Sequence, residues 1–238
     1  MTERDACGAM RRLDAPWTED MLTQALAAIA DDFGFNYWAV LAMPSTDEGG
    51  ATMQYVFGNW PKPFERAYEA RGLHRFSLVM RALKADPMPF VWDAATLYGT
   101  DEAEPSPAAR LLIDNDYLAG AIFPVWGLTT FNGAVSFAGR SCDLSEAEVR
   151  ELHLACFAFF GMLAAARFIE NQRRNPLTTR ERDCLKLAML GKTSSEIGAI
   201  LSLSEHTVSQ YLTSATRKMN ASNRTHAVAL AAQAGYLS

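Results

Sequence analysis

Residues 196–212, EIGAILSLSEHTVSQYL, set two apolar helical patterns on either side of a short polar break. Ile197, Ile200 and Leu201 recur at the spacing that shares one helix face, and Val208, Leu212, Ala215 and Met219 continue such a face after the break. Between them, residues 202–205 have room only for a tight turn. There Leu203 can plug the corner and the Ser204 hydroxyl can cap the second helix. The layout is that of a helix-turn-helix.

Upstream, Thr193 with Glu196 and Thr178 with Glu181 each read T-x-x-E, in which hydroxyl and carboxylate reciprocally satisfy free amides at a helix start. Four helices are therefore predicted, over 179–189, 194–201, 205–219 and 223–234. A plain four-helix bundle would show the same stripes. The wider pattern separates the two. Residues 177–237 resemble the DNA-binding domain of LuxR-type transcriptional regulators, with Glu181, Leu185, Gly191, Thr193, Glu196, Ile197, Ser204, Thr207, Val208, Lys218 and Arg224 at the positions that family expects. Tyr211 departs from it, standing where many members have His.

Charge explains how an acidic chain carries such an element. The net charge is -5, but residues 173–238 hold nine Lys or Arg against four acids, while residues 1–172 hold thirteen against twenty-three. The field that duplex phosphates meet is local, because screening confines it to about 8 Å at physiological salt. A composition of 49% hydrophobic and 21% charged residues is that of a globular protein with one large or two modest domains. The sequence shows neither a secretory leader nor an apolar run of the roughly 20 residues a bilayer span requires, so a cytoplasmic protein without membrane attachment is expected. Cys7, Cys142, Cys156 and Cys184 are scattered, as are the four histidines, so free thiols, no metal and no cofactor are expected. Ser145 and Ser209 have no base and acid arranged beside them, and no phosphate-cradling glycine loop occurs; an enzyme is not expected.

Residues 35–43, 51–58, 118–126 and 132–140 are strand-like by aromatic and β-branched content, and helices are predicted over 17–34, 62–71, 74–84, 106–116 and 145–170. This order favours an antiparallel sheet flanked by helices. The expected class is α+β: an N-terminal α/β/α sandwich over 1–169, a linker at 170–176 ended by Pro176, and an all-α helix-turn-helix domain over 177–238.

The first part resembles the autoinducer-binding domain of the same family, anchored on GNWP (58–61), Tyr68, the FVW ending at Trp92, Gly120 with Pro124, and the GAVS ending at Ser136. The resemblance implies an acyl-homoserine lactone site. In it Tyr68 and Ser136 would hydrogen-bond the acyl carbonyl, Trp92 would pack on the lactone and Trp60 would line the chain path. Phe64, Ser77, Val79 and Gly120 complete the implied set. Two of these depart from the family: Phe64 replaces a Trp whose indole donates to the lactone carbonyl, and Ser77, followed by Leu78, replaces an Asp that accepts the ligand amide. Losing both bonds costs about 2–4 kcal/mol, or about 30- to 1000-fold in affinity. The pocket therefore has three candidate contents: a less polar small molecule, a weakly held lactone, or its own side chains.

By resemblance, Ser209 and Thr213 meet base edges, with His206 and Gln210 also within reach; Lys192, Thr193, Arg217, Lys218 and Arg224 are the candidates for phosphate contacts, and Thr207 is expected among the DNA-binding residues. The partners implied are double-stranded DNA, a second copy of the chain, since one reader helix gives limited affinity, and RNA polymerase. The alternative is an interaction protein that heterodimerises with a related regulator and blocks it.

Overall fold

The computed structural model describes residues 4–43, 54–60, 62, 65–66, 86, 88–93, 107–125 and 132–237. The chain divides into two compact units, Met1–Ala164 and Ala165–Ser238.

In the first unit, α1 (Ala6–Arg11) and α2 (Glu19–Asp32) are opened by side-chain caps, Asp5 accepting from the Gly8 amide and Thr18 from that of Met21. There follow β1 (Tyr37–Met43), β2 (Gln54–Gly58), β3 (Phe90–Asp93), α3 (Pro107–Ile113), β4 (Ala119–Val125), β5 (Asn132–Gly139) and α4 (Glu146–Arg174). The strands form one antiparallel sheet in the order β2-β1-β5-β4-β3, which with its helices is the α+β architecture expected.

Strand alternation gives the sheet two chemically different faces. On one, Phe137 stacks with Phe35 and meets Phe123 edge-on, while Phe57 meets Trp38 and Phe159 of α4. The other carries Ala39, Leu41, Trp92, Ile122, Ala134 and Ala138, with Tyr117, Leu111 and Leu112 packed against them. Ser136 lies on this second face, paired in register with Ala39 and with Ile122, and Trp92 is paired with Gly120.

The structure differs from the sequence reading in several places. Neither α1 nor β3 was expected: α1 is a six-residue helix, and β3 is four residues at the sheet edge with Val91 exposed, too short for periodicity to register. Of the helix expected over 62–71, only Lys62, Glu65 and Arg66 are described, all helical, and that expected over 74–84 lies outside the described residues. Helix α4 runs to Arg174, so most of the segment expected as a linker at 170–176 is helical; the Glu170–Arg174 ion pair at 2.7 Å is of the i,i+4 kind that supports a helix end. By length and composition α4 also meets the requirement for a bilayer span, with a window of mean hydropathy 1.8, contrary to the reading of the bare sequence. Here its inner row, Leu152, Ala155, Phe159 and Leu163, is buried in the protein core.

The second unit holds α5 (Thr179–Met189), α6 (Ser194–Leu201), α7 (Glu205–Lys218) and α8 (Arg224–Gln233). They surround a core of Leu177, Cys184, Leu185, Ile197, Val208, Leu212, Ala215, Ala227, Ala231 and Leu237.

Gly120 shows how tightly the second sheet face is filled. A Cβ there would strike the Phe137 carbonyl oxygen and come within 2.7 Å of Trp92 Cζ2, so only glycine admits the indole. Gly120→Val is expected to destabilise the protein by about 1–3 kcal/mol through overpacking. Urea unfolding followed by tryptophan fluorescence checks this; an unchanged midpoint would show that Trp92 does not depend on the gap.

Candidate nucleic-acid interface and sensory face

Each helix of the second unit begins at a side-chain cap. Thr178 with Glu181 and Thr193 with Glu196 form complete capping boxes, Ser204 accepts from the Thr207 amide and Asn223 from that of His226. The turn between α6 and α7 rests on Ser202 in the left-handed conformation, φ 56°, and on a Leu203 amide donating to the Gly198 carbonyl at 2.8 Å. A Cβ at Gly198 would lie 2.6 Å from the Leu203 carbonyl oxygen, so the turn closes only over glycine.

What fixes α7 against α5 is Glu181, only 3% exposed. Its carboxylate accepts from the Thr178 amide at 2.7 Å, the Ser214 hydroxyl at 2.7 Å and the Lys218 ammonium at 2.8 Å. Burial alone would raise this carboxyl, but the hydrogen bonds from Lys218, Ser214 and Thr178 outweigh it and hold the group down to about 2.

With its apolar row inward, α7 leaves His206, Ser209, Gln210, Thr213 and Arg217 exposed. Two open grooves flank it, of about 520 and 410 Å³, and both are lined by Ser209, Thr213 and Arg217. Arg224 and Ser194 line the first, His206 and Gln210 the second. Of the residues singled out from sequence, His206, Thr207, Ser209, Gln210, Thr213, Arg217 and Lys218 lie on α7, Lys192 and Thr193 just before α6, and Arg224 at the start of α8. Lys218 has its charge on Glu181; Thr193 and Thr207 have their hydroxyls engaged with Glu196 and Ser204; Lys192 sits 3.4 Å from Glu196. An Arg224 N–H donates to the Lys192 carbonyl, tying α8 to the loop before α6. Tyr211 packs against the domain core.

On the second face of the sheet, Trp60, Trp92, Gly120 and Ser136 are described; Phe64, Tyr68, Ser77 and Val79 lie outside the described residues. Trp60 stacks on Tyr55 at 5.1 Å and meets Tyr117 edge-on at 6.1 Å, and Tyr117 in turn stacks on Tyr37 at 4.5 Å. Sequence reasoning singled out none of these three tyrosines. Strand alternation carries the signal for two of them, since Tyr37 shares a parity with Ala39 and Leu41, and Tyr55 is paired with Leu41. Burial, aided by Glu65, pushes the Tyr55 hydroxyl up to about 12, and burial drives Tyr117 still higher, so both phenols stay protonated.

All four cysteines are free, and burial raises each thiol, Cys142 to about 11. Among the described residues, no group of three or more His, Cys, Asp or Glu is placed to hold a metal ion.

Residues 18–166 match the family described as autoinducer binding domain, and residues 175–231 the family described as bacterial regulatory proteins, luxR family. The transcriptional activator protein BjaR1 of Bradyrhizobium diazoefficiens is 36% identical over 211 residues, covering 87% of this chain and 85% of the relative. The HTH-type quorum sensing-dependent transcriptional regulator RpaR of Rhodopseudomonas palustris is 30% identical over 233 residues, covering 96% and 92%. In fold, the chain is similar to the crystal structure of Escherichia coli SdiA, with a TM-score of 0.70 at 19% identity over 98% of this chain and 96% of that one.

The Glu181 clamp makes the second unit acid-sensitive. Its folded pKa of about 2 lies below the ordinary 4.5, so the clamp contributes fully above pH 4.5 and is lost as pH falls towards 2. Glu181→Gln is expected to destabilise α7 at pH 7 by about 1–3 kcal/mol and to flatten the acid dependence. Amide hydrogen exchange of α7 at pH 7 and in acid reads both; equal protection in the two proteins at pH 7 would refute the clamp.

Proposed function

The chain belongs to the LuxR family of quorum-sensing transcriptional regulators, an autoinducer-binding domain followed by a luxR-type DNA-binding domain, and from that premise we propose how its own residues divide the work. A homodimer binds duplex DNA through α7, and occupancy of the ring-lined sheet face by a small molecule controls that binding. The observation that carries the reading is the exposed row Ser209, Thr213 and Arg217, shared by both grooves beside a helix whose opposite face is committed to the core.

Arg217 and Arg224 contact phosphates, and Lys192 joins them when its ammonium leaves Glu196. Ser209 and Thr213 meet base edges. Lys218 acts on DNA indirectly, as the partner that lets Glu181 hold α7 in place. Domain limits follow the helices: the sensory domain ends within α4, and the linker shrinks to Asn175 and Pro176, where proline forbids helix continuation. Chemistry in either domain is recognition, with no catalytic step, and the setting is cytoplasmic.

For the sensory face, an acyl-homoserine lactone or a less polar analogue fits best. Ser136 supplies a hydroxyl on a face otherwise lined by Trp60, Trp92 and the tyrosines. Phe64 has no hydrogen-bond donor and Ser77 no carboxylate, so the head group is held less firmly and apolar contact carries more of the affinity.

The second copy is supported by α4. Leu154, 64% exposed, and Phe157, 39% exposed, precede an exposed Gly161 at three- and four-residue spacing, an apolar row beside the buried one. RNA polymerase is a further partner, supported by the activator function in the name of the relative BjaR1.

Arg217→Ala is expected to shallow the logarithmic salt dependence of DNA binding by about one contact's worth, a slope change near 0.9, and Thr213→Ala to alter preference at one base position. Titrations of duplex binding between 50 and 200 mM salt, the range over which such contacts act, measure the first. An unchanged slope would refute the phosphate role.

Native mass spectrometry of the full chain, expressed with and without candidate lactones, is expected to show a dimer carrying one small-molecule adduct per subunit, and Phe157→Glu is expected to leave monomer. A Phe157→Glu dimer would move the interface elsewhere, and a soluble dimer without adduct under every lactone would assign the pocket to its own side chains.

A further inference from the structure

One pair on the exposed face of α7 is organised differently from its neighbours. Gln210 and His206 stand one helical turn apart, with Gln210 Nε2 3.0 Å from His206 Nε2, and both line the groove of about 410 Å³ beside Ser209 and Thr213. Ser209 and Thr213 each offer a single hydroxyl, which reads a base edge through one bond. A carboxamide offers two groups side by side, and its orientation decides what they match.

We propose that His206 and Gln210 form one adenine-reading unit, in which the imidazole orients the carboxamide and the carboxamide reads the base. With its hydrogen on Nδ1, the His206 ring accepts at Nε2 from one Gln210 N–H. That leaves the second N–H and Oε1 on the free edge, one donor beside one acceptor. Adenine presents the complement in the major groove, N7 accepting and the N6 amino group donating. Position supports the role: His206 is the second residue of α7, and the N-terminal residues of a reader helix are those that reach base edges. The pair is also free of the domain core, since α7 packs through Val208, Leu212 and Ala215. Holding the long Gln210 side chain before binding removes part of the rotamer freedom that a free glutamine would lose at the base. His206 is thus a positioning residue and Gln210 the specificity-determining one.

This rests on the reading of α7 as the DNA-contacting helix, and selection from randomised duplex DNA by the purified full chain separates the two. The unaltered chain is expected to enrich a site with adenine preferred at one position in each half. Gln210→Ala is expected to lose that preference by about 5- to 150-fold, the range of a bidentate pair. His206→Ala is expected to weaken it at the same position by about 2- to 12-fold, one hydrogen bond's worth. The double variant should match Gln210→Ala alone, while all variants keep the wild-type salt slope on non-specific duplex. An enriched site with no adenine position lost in Gln210→Ala, effects of the two substitutions at different positions, or additive effects at one position would overturn the unit and leave the DNA-binding reading standing. Failure of the unaltered chain to enrich any sequence would overturn both.

Discussion

Everything exposed on α7 depends on a carboxylate that is itself buried. Glu181 reaches from the first turn of α5 to Ser214 and Lys218 on α7, and the same carboxylate closes the capping box at its own helix start. One group therefore fixes where α5 begins and where α7 lies. Its burial would be costly if any bond were missing, because an ionised group in the interior is tolerated only when its lone pairs are matched. Here an amide, a hydroxyl and an ammonium match them. The consequence for function is rotational: held at Ser214 and Lys218 and packed through Val208 and Leu212, α7 has one face left to present, the face of Ser209, Thr213 and Arg217.

The second unit was legible in the sequence because its information is local. Thr178, Thr193 and Ser204 announce helix starts within four residues, and the apolar spacing from Ile197 to Ala215 names the core face within two turns; the observed helices agree to within a residue or so at each end. What local reading missed is tertiary. Lys218 stands in the sequence as a candidate phosphate ligand, and only the fold shows that its ammonium also meets Glu181, 37 residues earlier, a distance over which no helical period speaks. In the first unit the same limit appears in β3, an edge strand defined by the pairing of Phe90–Asp93 with β4, and in Tyr55 and Tyr117, which meet Trp60, and Tyr37, which stacks on Tyr117. The end of α4 was missed for another reason: Gln172, Arg173 and Arg174 are polar, which reads as linker, but they are also good helix formers beside a supporting Glu170.

The sensory face shows the opposite balance from the DNA face. Where α7 offers hydroxyls and charge, the sheet offers rings and small residues, and Ala39, Ala134, Ala138 and Gly120 keep the surface low enough for Trp92 and Trp60 to lie over it. Ring against ring contributes about 0.5–1.5 kcal/mol per pair beyond the area buried, so the Tyr37, Tyr117, Trp60, Tyr55 chain is a cohesive wall. Such a wall would tolerate differences among apolar ligands better than a hydrogen-bonded clamp does, because apolar contact is non-directional. Phe64, which has no donor, and Ser77, which has no carboxylate, agree with the proposal that shape and area would carry the affinity.

The uneven charge of the chain fits this division of labour. The acidic residues are concentrated in the front part of the chain and the basic excess in the back part, and because screening limits a field to about 8 Å at physiological salt, attraction to phosphates is set by the charges that lie beside the duplex. In the proposed reading, phosphate contacts from a few arginines would supply affinity without sequence information, and short hydroxyls would add only weak base selection. On that reading discrimination would come from the few side chains with paired donor and acceptor groups and from the spacing of two reader helices in the proposed dimer. In the proposed dimer the apolar row on α4 would bear on specificity as much as on stability: separating the copies would remove the half-site spacing that single hydroxyls cannot replace.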